Sequence, residues 1–404
     1  MKSSVKWLLS FGLVALLGIV GNNFYQQQLA NKNKSDGPWE RYRKGLVDPL
    51  PGPYLAEGNP NEVKIEKVDL GIGKIISISE NGDLLYNSFG DKLLEFPFKD
   101  SHGFQRIGVK LAEPVTKLRR HDGTNVVIPS STNISLSRSG NIIERQPSGD
   151  NLTIKMDGKV VFDSKSLPEL HLGGGYPQLS FTRDGLFSSY STKYTFLFDK
   201  NFRLRPWDAS PSDMENLRLS TESSTLGSLL TWFGSSSKVP STQGYHLVTV
   251  HDEKVTKIPL PSLTAQPALI ATKNSVITYG MYTNPTRPYE YRGRDFSPVP
   301  IPSGIASLAI HGANSKGEMV LNIDRVSPSA KGKFTFPYSH QMVLVTNGKY
   351  YDLNMILKSV GLSNIKQWSQ TLPNEFNAMD ESGNFFVTGS TNDYPHIYLL
   401  RRLK

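Results

Sequence analysis

The stretch Ile78-Ser-Glu-Asn-Gly82-Asp-Leu-Leu85 decides the fold, because its plan recurs along the chain. Leu136-Ser-Arg-Ser-Gly140-Asn-Ile-Ile143, Phe181-Thr-Arg-Asp-Gly185-Leu-Phe187 and Met379-Asp-Glu-Ser-Gly383-Asn-Phe-Phe386 repeat it, and Lys316-Gly317-Glu318-Met319-Val320 is a looser copy. Each full copy joins two β-rich runs through a Gly that has an apolar residue four positions before it. Gly supplies the positive φ that a tight hairpin requires, and β-branched and aromatic residues on both sides supply the strands. A supersecondary unit repeated at this scale implies an array of like units, not several unrelated domains.

Two further β-rich segments, Leu226–Phe233 and Ala268–Tyr279, fill the gap between Gly185 and Gly317. The resulting period of about 40–50 residues fits a propeller blade of four strands. The longer steps imply insertions around 101–131 and 354–375. Second hairpins support the period. Asp157-Gly158 and Asn347-Gly348 are the pairs that a two-residue primed turn prefers, and Asp199–Asn201 and His251–Glu253 occupy equivalent places. The last unit, from Phe376, supplies three strands, and Val63-Lys-Ile-Glu-Lys-Val-Asp69 is the candidate for its fourth. Such a union of the two chain ends closes a ring and removes exposed strand edges. The expected fold is therefore all-β, a β-propeller of seven four-stranded blades, with six or eight as the neighbouring counts.

Composition agrees with many short strands. The 404 residues include 34 Gly, 26 Pro, 17 Tyr, 19 Phe and 5 Trp, enough aromatic and apolar residues for a sizeable core. There is no cysteine, which excludes disulfides, thiolate metal sites, cysteine nucleophiles and a lipidated cysteine. The formal charge of +9 is concentrated at the start, where residues 1–44 hold seven Lys or Arg against two acids. The rest is near balance and carries no concentrated basic stripe, so no nucleic-acid partner is expected.

Lys2 and Lys6 precede the apolar run Trp7–Val20, the pattern of an export signal, and an N-terminal apolar helix is expected there. The run is short for a spanning helix, yet ending it at Gly21 places Ile19 where a cleavage site prefers a small residue. Residues 1–25 thus read as a signal peptide or an uncleaved anchor held in the membrane by residues 7–21. Residues 26–62 read as a polar, proline-containing tether, and 63–404 as the propeller. The preceding positive charges put the folded part outside the cytoplasm, exported to the periplasm or the cell surface.

The C-terminal part, Val343-Leu-Val-Thr-Asn-Gly-Lys-Tyr-Tyr-Asp-Leu-Asn354, then Trp368, then Asn377-Ala-Met-Asp-Glu-Ser-Gly383-Asn-Phe-Phe-Val-Thr-Gly389, resembles the repeats of bacterial HAF-repeat propeller proteins. Phe181-Thr-Arg-Asp-Gly185 is similar to a TolB-type repeat. The likeness covers about the last 65 residues well and is confined elsewhere to the shared hairpin. It implies an exported propeller and no particular chemistry.

In a propeller, the connections after the second strand of each blade gather on one face. Here those connections, 281–295, 324–338 and 390–396, are rich in Tyr, Arg, Asn and Pro. Tyr282, Arg287, Tyr289, Tyr291, Arg292, Arg294 and Tyr394 are the candidate ligand-binding residues. Their rings can stack on a sugar or peptide while guanidinia hold hydroxyls or carboxylates. The same residues also read as a packed loop whose charges face solvent. Two functions follow. One is a non-catalytic module binding or scaffolding a glycan, peptide or protein. The alternative is a carbohydrate-active enzyme, a hydrolase or lyase, using acids such as Glu290, Asp295, Asp324 and Asp393 at the channel mouth. The eight dispersed histidines show no metal-ligand spacing. No catalytic residue, metal or cofactor is expected.

Overall fold

The computed structural model describes residues 50–403 except 91–93, 111–112, 130–132, 149–150, 164, 166–177, 182–186, 191–194, 199–203, 206–216, 225–226, 235–243, 252–253, 262–266, 281–285, 327–337, 363–377 and 391–394. The single positions 100, 102, 104 and 138 are also excepted. The apolar segment 7–21 lies outside the described residues, and so do Tyr282 and Tyr394. Among the described residues no helix is long and apolar enough to cross a membrane.

The described chain is built almost wholly of strands, in a β-propeller arrangement. β1 (Ala56–Glu57) leads to β2 (Ile65–Ile78) and β3 (Leu84–Ser88). A two-stranded excursion follows, β4 (Leu94–Lys99) with β5 (Gln105–Lys110), before β6 (Val115–Arg119) and β7 (Asn125–Val127). β2, β3, β6 and β7 pair antiparallel in that order. The insertion expected at 101–131 therefore begins earlier, and 115–127 belongs to the sheet.

Four blades of four consecutive antiparallel strands come next. The first holds β8 (Ile134–Leu136), β9 (Ile142–Ser148), β10 (Asn151–Met156) and β11 (Lys159–Asp163). The second holds β12 (Gln178–Phe181), β13 (Phe187–Tyr190), β14 (Thr195–Phe198) and β15 (Leu204–Arg205). The third holds β16 (Leu217–Ser224), β17 (Gly227–Gly234), β18 (Gly244–His251) and β19 (Lys254–Pro259). The fourth holds β20 (Pro267–Ala271), β21 (Val276–Gly280), β22 (Thr286–Tyr291) and β23 (Phe296–Pro298).

β24 (Ile305–Ala313), β25 (Met319–Val326), β26 (Tyr338–Thr346) and β27 (Lys349–Asp352) form the next sheet, and β1 adds to the outer edge of β27 in parallel. A short helix, α1 (Leu353–Ser359), follows with Asp352 accepting the amides of Asn354 and Met355 as its N-cap. Leu353, Ile356 and Leu357 are buried on one face of it. Then come β28 (Phe385–Ser390) and β29 (Pro395–Arg402).

The two ends of the described chain meet. The first half of β2 pairs with β29, from Ile65↔Arg402 to Ile72↔His396, and its second half pairs with β3, from Gly73↔Ser88 to Ile78↔Leu84. The expected pairing of Val63–Asp69 with the final strands is thus present from Ile65 onward. The first strands of successive sheets touch: β2 meets β8, β12 meets β16, β16 meets β20, and β20 meets β24. Side-chain alternation makes this stacking possible. In β28, Phe385 and Val387 pack toward Val320 and Leu344, while Phe386 points the other way, toward Leu84 and Tyr86. Leu84 and Leu85 divide in the same way, Leu85 joining Leu118 and Leu136. A strand buried on both faces needs the near-continuous apolar run that these segments carry.

The segment before β2 is not a free tether over its whole expected length. Leu50 is buried among Ile301, Ile305 and Leu308, its amide donates to the Ile305 carbonyl at 2.7 Å, and Leu55 donates to Ile301 at 2.8 Å. Residues 50–62 are therefore docked on the flank of the last sheets. Residues 26–49 of the expected tether lie outside the described residues.

Candidate functional site

Four of the repeated turns are built alike. In Ser79–Asp83, Ser137–Asn141, Asn314–Glu318 and Asp380–Asn384 the amide of the first residue donates to the carbonyl of the fifth, at 2.9–3.1 Å. The amide of the Gly at the fourth place donates back to the first carbonyl at 3.0–3.1 Å. The side-chain oxygen of the first residue accepts the amide of the fifth, at 2.9–3.1 Å. Ser, Asn and Asp suit that place because a short side-chain acceptor can cap its own turn. Gly82, Gly140, Gly317 and Gly383 have φ between 80° and 89°, as the sequence spacing requires. Gly185 lies outside the described residues.

These turns touch across sheets, which places them at a common mouth. The Glu381 amide donates to the Glu80 carbonyl at 3.0 Å. Its carboxylate accepts the Lys273 amide at 2.7 Å through Oε1, and the Ser315 amide at 3.0 Å and hydroxyl at 2.5 Å through Oε2. Through its backbone amide and its side chain, one residue therefore links four turns. Asp83, 4% exposed, accepts Arg120 at 2.9 Å and the His121 amide at 2.8 Å, while Arg120 also donates to the Gly140 carbonyl at 3.1 Å.

A pocket of about 140 Å³ opens at the same end, in the seam between the β28–β29 strands and the β2–β3–β6–β7 sheet. Arg119, Arg120 and His121 line it from the end of β6, and Arg401 and Leu399 from β29. Asn81 and Ser382 contribute from two of the repeated turns. Arg119 is buried and donates to the Gly123 carbonyl at 2.9 Å. Burial, then the neighbouring Arg401 cation, hold its guanidinium below the usual arginine value. Asp380 also lines the pocket, and burial pushes its carboxyl above the usual carboxylate range against the opposing hydrogen bonds from Asn384, Ser382 and Gly383.

The candidates of the expected loop 281–295 are distributed differently. Residues 286–298 form a hairpin, β22 and β23, so the described half of that loop is largely strand. Arg287 is 6% exposed and donates to the carbonyls of Pro51, Gly52 and Val299, the last at 2.9 Å. It clamps the docked N-terminal segment. Tyr291 is buried with Leu247, Leu269 and Val276 and stacks obliquely on Phe296, with centroids 5.1 Å apart. Tyr289 is half-buried, and Arg292 and Arg294 are exposed at the far end of β22. There Arg292 pairs with Glu290 at 3.0 Å. The structure thus places Tyr289, Arg292 and Arg294 toward the surface and commits Arg287 and Tyr291 to the framework. Asp324 is also drawn inside, 1% exposed and hydrogen-bonded by Ser307 at 2.6 Å. Among the described residues no group of three or more His, Asp or Glu is placed to hold a metal ion.

No protein-family model matches the chain, and no curated protein sequence matches it. Among solved structures, the β-propeller domain of the Trilobed protease from Pyrococcus furiosus is 9% identical with a TM-score of 0.40, over 82% of this chain and 98% of that one. An acylaminoacyl peptidase in complex with Z-Gly-Gly-Phe-chloromethyl ketone is 10% identical at 0.40, over 82% of this chain and 52% of that one, so the match spans about half its length. A protein of unknown function from Bacteroides thetaiotaomicron is 12% identical at 0.29, over 87% of this chain and 100% of that one. At such scores the fold rests on the strand pairing described above, and no activity passes from those proteins to this chain.

Proposed function

We propose that this chain is a non-catalytic binding or scaffolding propeller, exported and tethered by its N-terminal segment, that holds a glycan, peptide or protein partner at its turn-bearing end. The ring has seven blades in this reading. The four four-stranded blades are joined by the β24–β27 sheet, and β2 divides the six-stranded sheet into two more. The last of these combines the Met379–Phe385 bridge with β28, β29 and the first half of β2. A strand shared in this way holds the ends of the chain together by backbone hydrogen bonds.

The observation that carries the non-catalytic reading is the state of the acids. Hydrolysis of a glycosidic bond needs two carboxylates facing each other across open space, about 5–10 Å apart. Glu290 instead accepts the Ser275 hydroxyl at 2.5 Å and Arg292 at 3.0 Å, and Asp324 is enclosed in another sheet. Asp393 lies outside the described residues. Tyr289, Arg292 and Arg294 supply ring and cation surface for a ligand instead.

The test is a pull-down and glycan-array comparison of the full chain with the Tyr289→Ala plus Arg292→Ala double variant. Loss of a captured ligand in the variant supports the reading. Unchanged capture, or turnover of a polysaccharide that Glu290→Gln abolishes, opposes it.

A further inference from the structure

Arg119 and Arg401 come from strands almost 300 residues apart in sequence, yet both line the seam pocket. Two of the nearby acids are engaged elsewhere. Asp83 is taken by Arg120 and His121, and Asp380 accepts the amides of Ser382 and Asn384 and the Asn384 side chain, each at 2.9 Å. Asp122 faces solvent at the turn and accepts the Thr124 amide at 2.8 Å, and its charge favours the Arg119 cation less than Arg401 opposes it. Glu66 approaches Arg401 to 3.6 Å, but the pair is substantially exposed and therefore weak. Two arginines thus line one pocket, Arg119 buried and Arg401 half-buried, with Leu399, Asn81 and Ser382 also in its lining.

We propose that the seam pocket is an oxyanion-binding site, in which Arg119 and Arg401 together hold a carboxylate or phosphate group of a ligand. Like charges in a confined space repel, and a bound anion converts that repulsion into two charge-assisted contacts. The planar fork of each guanidinium matches the paired oxygens of either group. At about 140 Å³ the pocket is small, suited to one such group and a few attached atoms and not to a whole sugar chain. The site therefore takes the acidic terminus or substituent of a larger ligand, such as a peptide C-terminus, an acidic sugar or a phosphoester. Tyr289, Arg292 and Arg294 are not in its lining, so the two sites succeed or fail separately.

Thermal melting and titration calorimetry of the full chain test this with three probes at matched ionic strength: inorganic phosphate, acetate and chloride. A saturable rise in Tm and measurable heat with phosphate or acetate, but not chloride, is the expected result. Whichever oxyanion binds more tightly names the ligand's group. Arg401→Gln leaves the strand intact, weakens that binding by about tenfold or more, and melts higher than the parent when no oxyanion is present, because the repulsion is gone. Indistinguishable responses to all three ions, or full retention of oxyanion binding by Arg401→Gln, overturn the proposal.

Discussion

The amide of Lys273 donates to Oε1 of Glu381 at 2.7 Å, across 108 residues of sequence. A turn in the fourth of the four-stranded blades is thereby tied to the turn before β28. The other oxygen of the same carboxylate receives Ser315, so three turns converge on one side chain. Replacing Glu381 by Ala removes three hydrogen bonds at the mouth. The predicted loss is about 1–2 kcal/mol, since the site is partly solvated, and Glu381→Gln, which retains an acceptor, loses less. Urea unfolding of the three proteins measures it.

Two glycines with similar backbone angles should respond unequally to alanine. Gly82 (φ 88°) and Gly348 (φ 69°) both occupy the left-handed region. A Cβ at Gly82 would lie 2.6 Å from Asp380 Oδ2, whereas nothing lies within 4 Å at Gly348. Gly348→Ala therefore costs about 1 kcal/mol of backbone strain, and Gly82→Ala costs more, about 2–3 kcal/mol, because Asp380 must also shift. Equal destabilisation in thermal melts contradicts the close approach of the two turns.

Asp380 makes stability depend on pH in an uncommon direction. Burial raises its carboxyl in the folded chain, so the native state binds the proton more tightly than the unfolded state, whose value is about 3.9. Above that value this group's contribution falls as pH rises toward and through the folded value, and the loss is complete at higher pH. Asn314 occupies the same place in its own turn, so Asp380→Asn keeps the geometry without the charge. The variant is predicted to gain stability over the parent between pH 4 and pH 7, with the difference vanishing near pH 3. Melting curves across that range show the sign.

Arg287 is predicted to act on the N-terminal segment. Arg287→Met removes the donors to Pro51, Gly52 and Val299. Hydrogen exchange at residues 50–57 and limited proteolysis near residue 50 should both accelerate. Global stability falls by about 1–3 kcal/mol, because the buried Val299 carbonyl and the docked segment lose this donor.

Local chemistry made part of this architecture readable. The turns at Gly82, Gly140, Gly317 and Gly383, and the pairs Asp157-Gly158 and Asn347-Gly348, announce themselves because positive φ restricts the residue at that place. The partnership of Val63–Asp69 with the last strands could be read from a unit lacking one strand. Arg287 could not, since two of its partners are carbonyls more than 230 residues away and its neighbours look like a loop. The seam pocket was equally hidden, because Arg119 and Arg401 belong to no shared motif and meet only when β2 brings β6 and β29 into one sheet. Helix α1 did leave a signal: Asp352 as cap, with Leu353, Ile356 and Leu357 at helical spacing.

The shared strand β2 is the central claim, and a cross-link across it is the most direct measurement. Glu66 and Arg401 are register partners on β2 and β29, and the chain has no cysteine of its own. The Glu66→Cys plus Arg401→Cys chain should form an intramolecular disulfide under mild oxidation, detected by mass and reversed by reductant, because directly opposed Cα atoms lie about 4.5–5.5 Å apart, within the span of a disulfide. The off-register pair Glu66→Cys plus Leu403→Cys should remain reduced. Absence of the first bond, or equal yield from both pairs, contradicts the closure of the chain through β2.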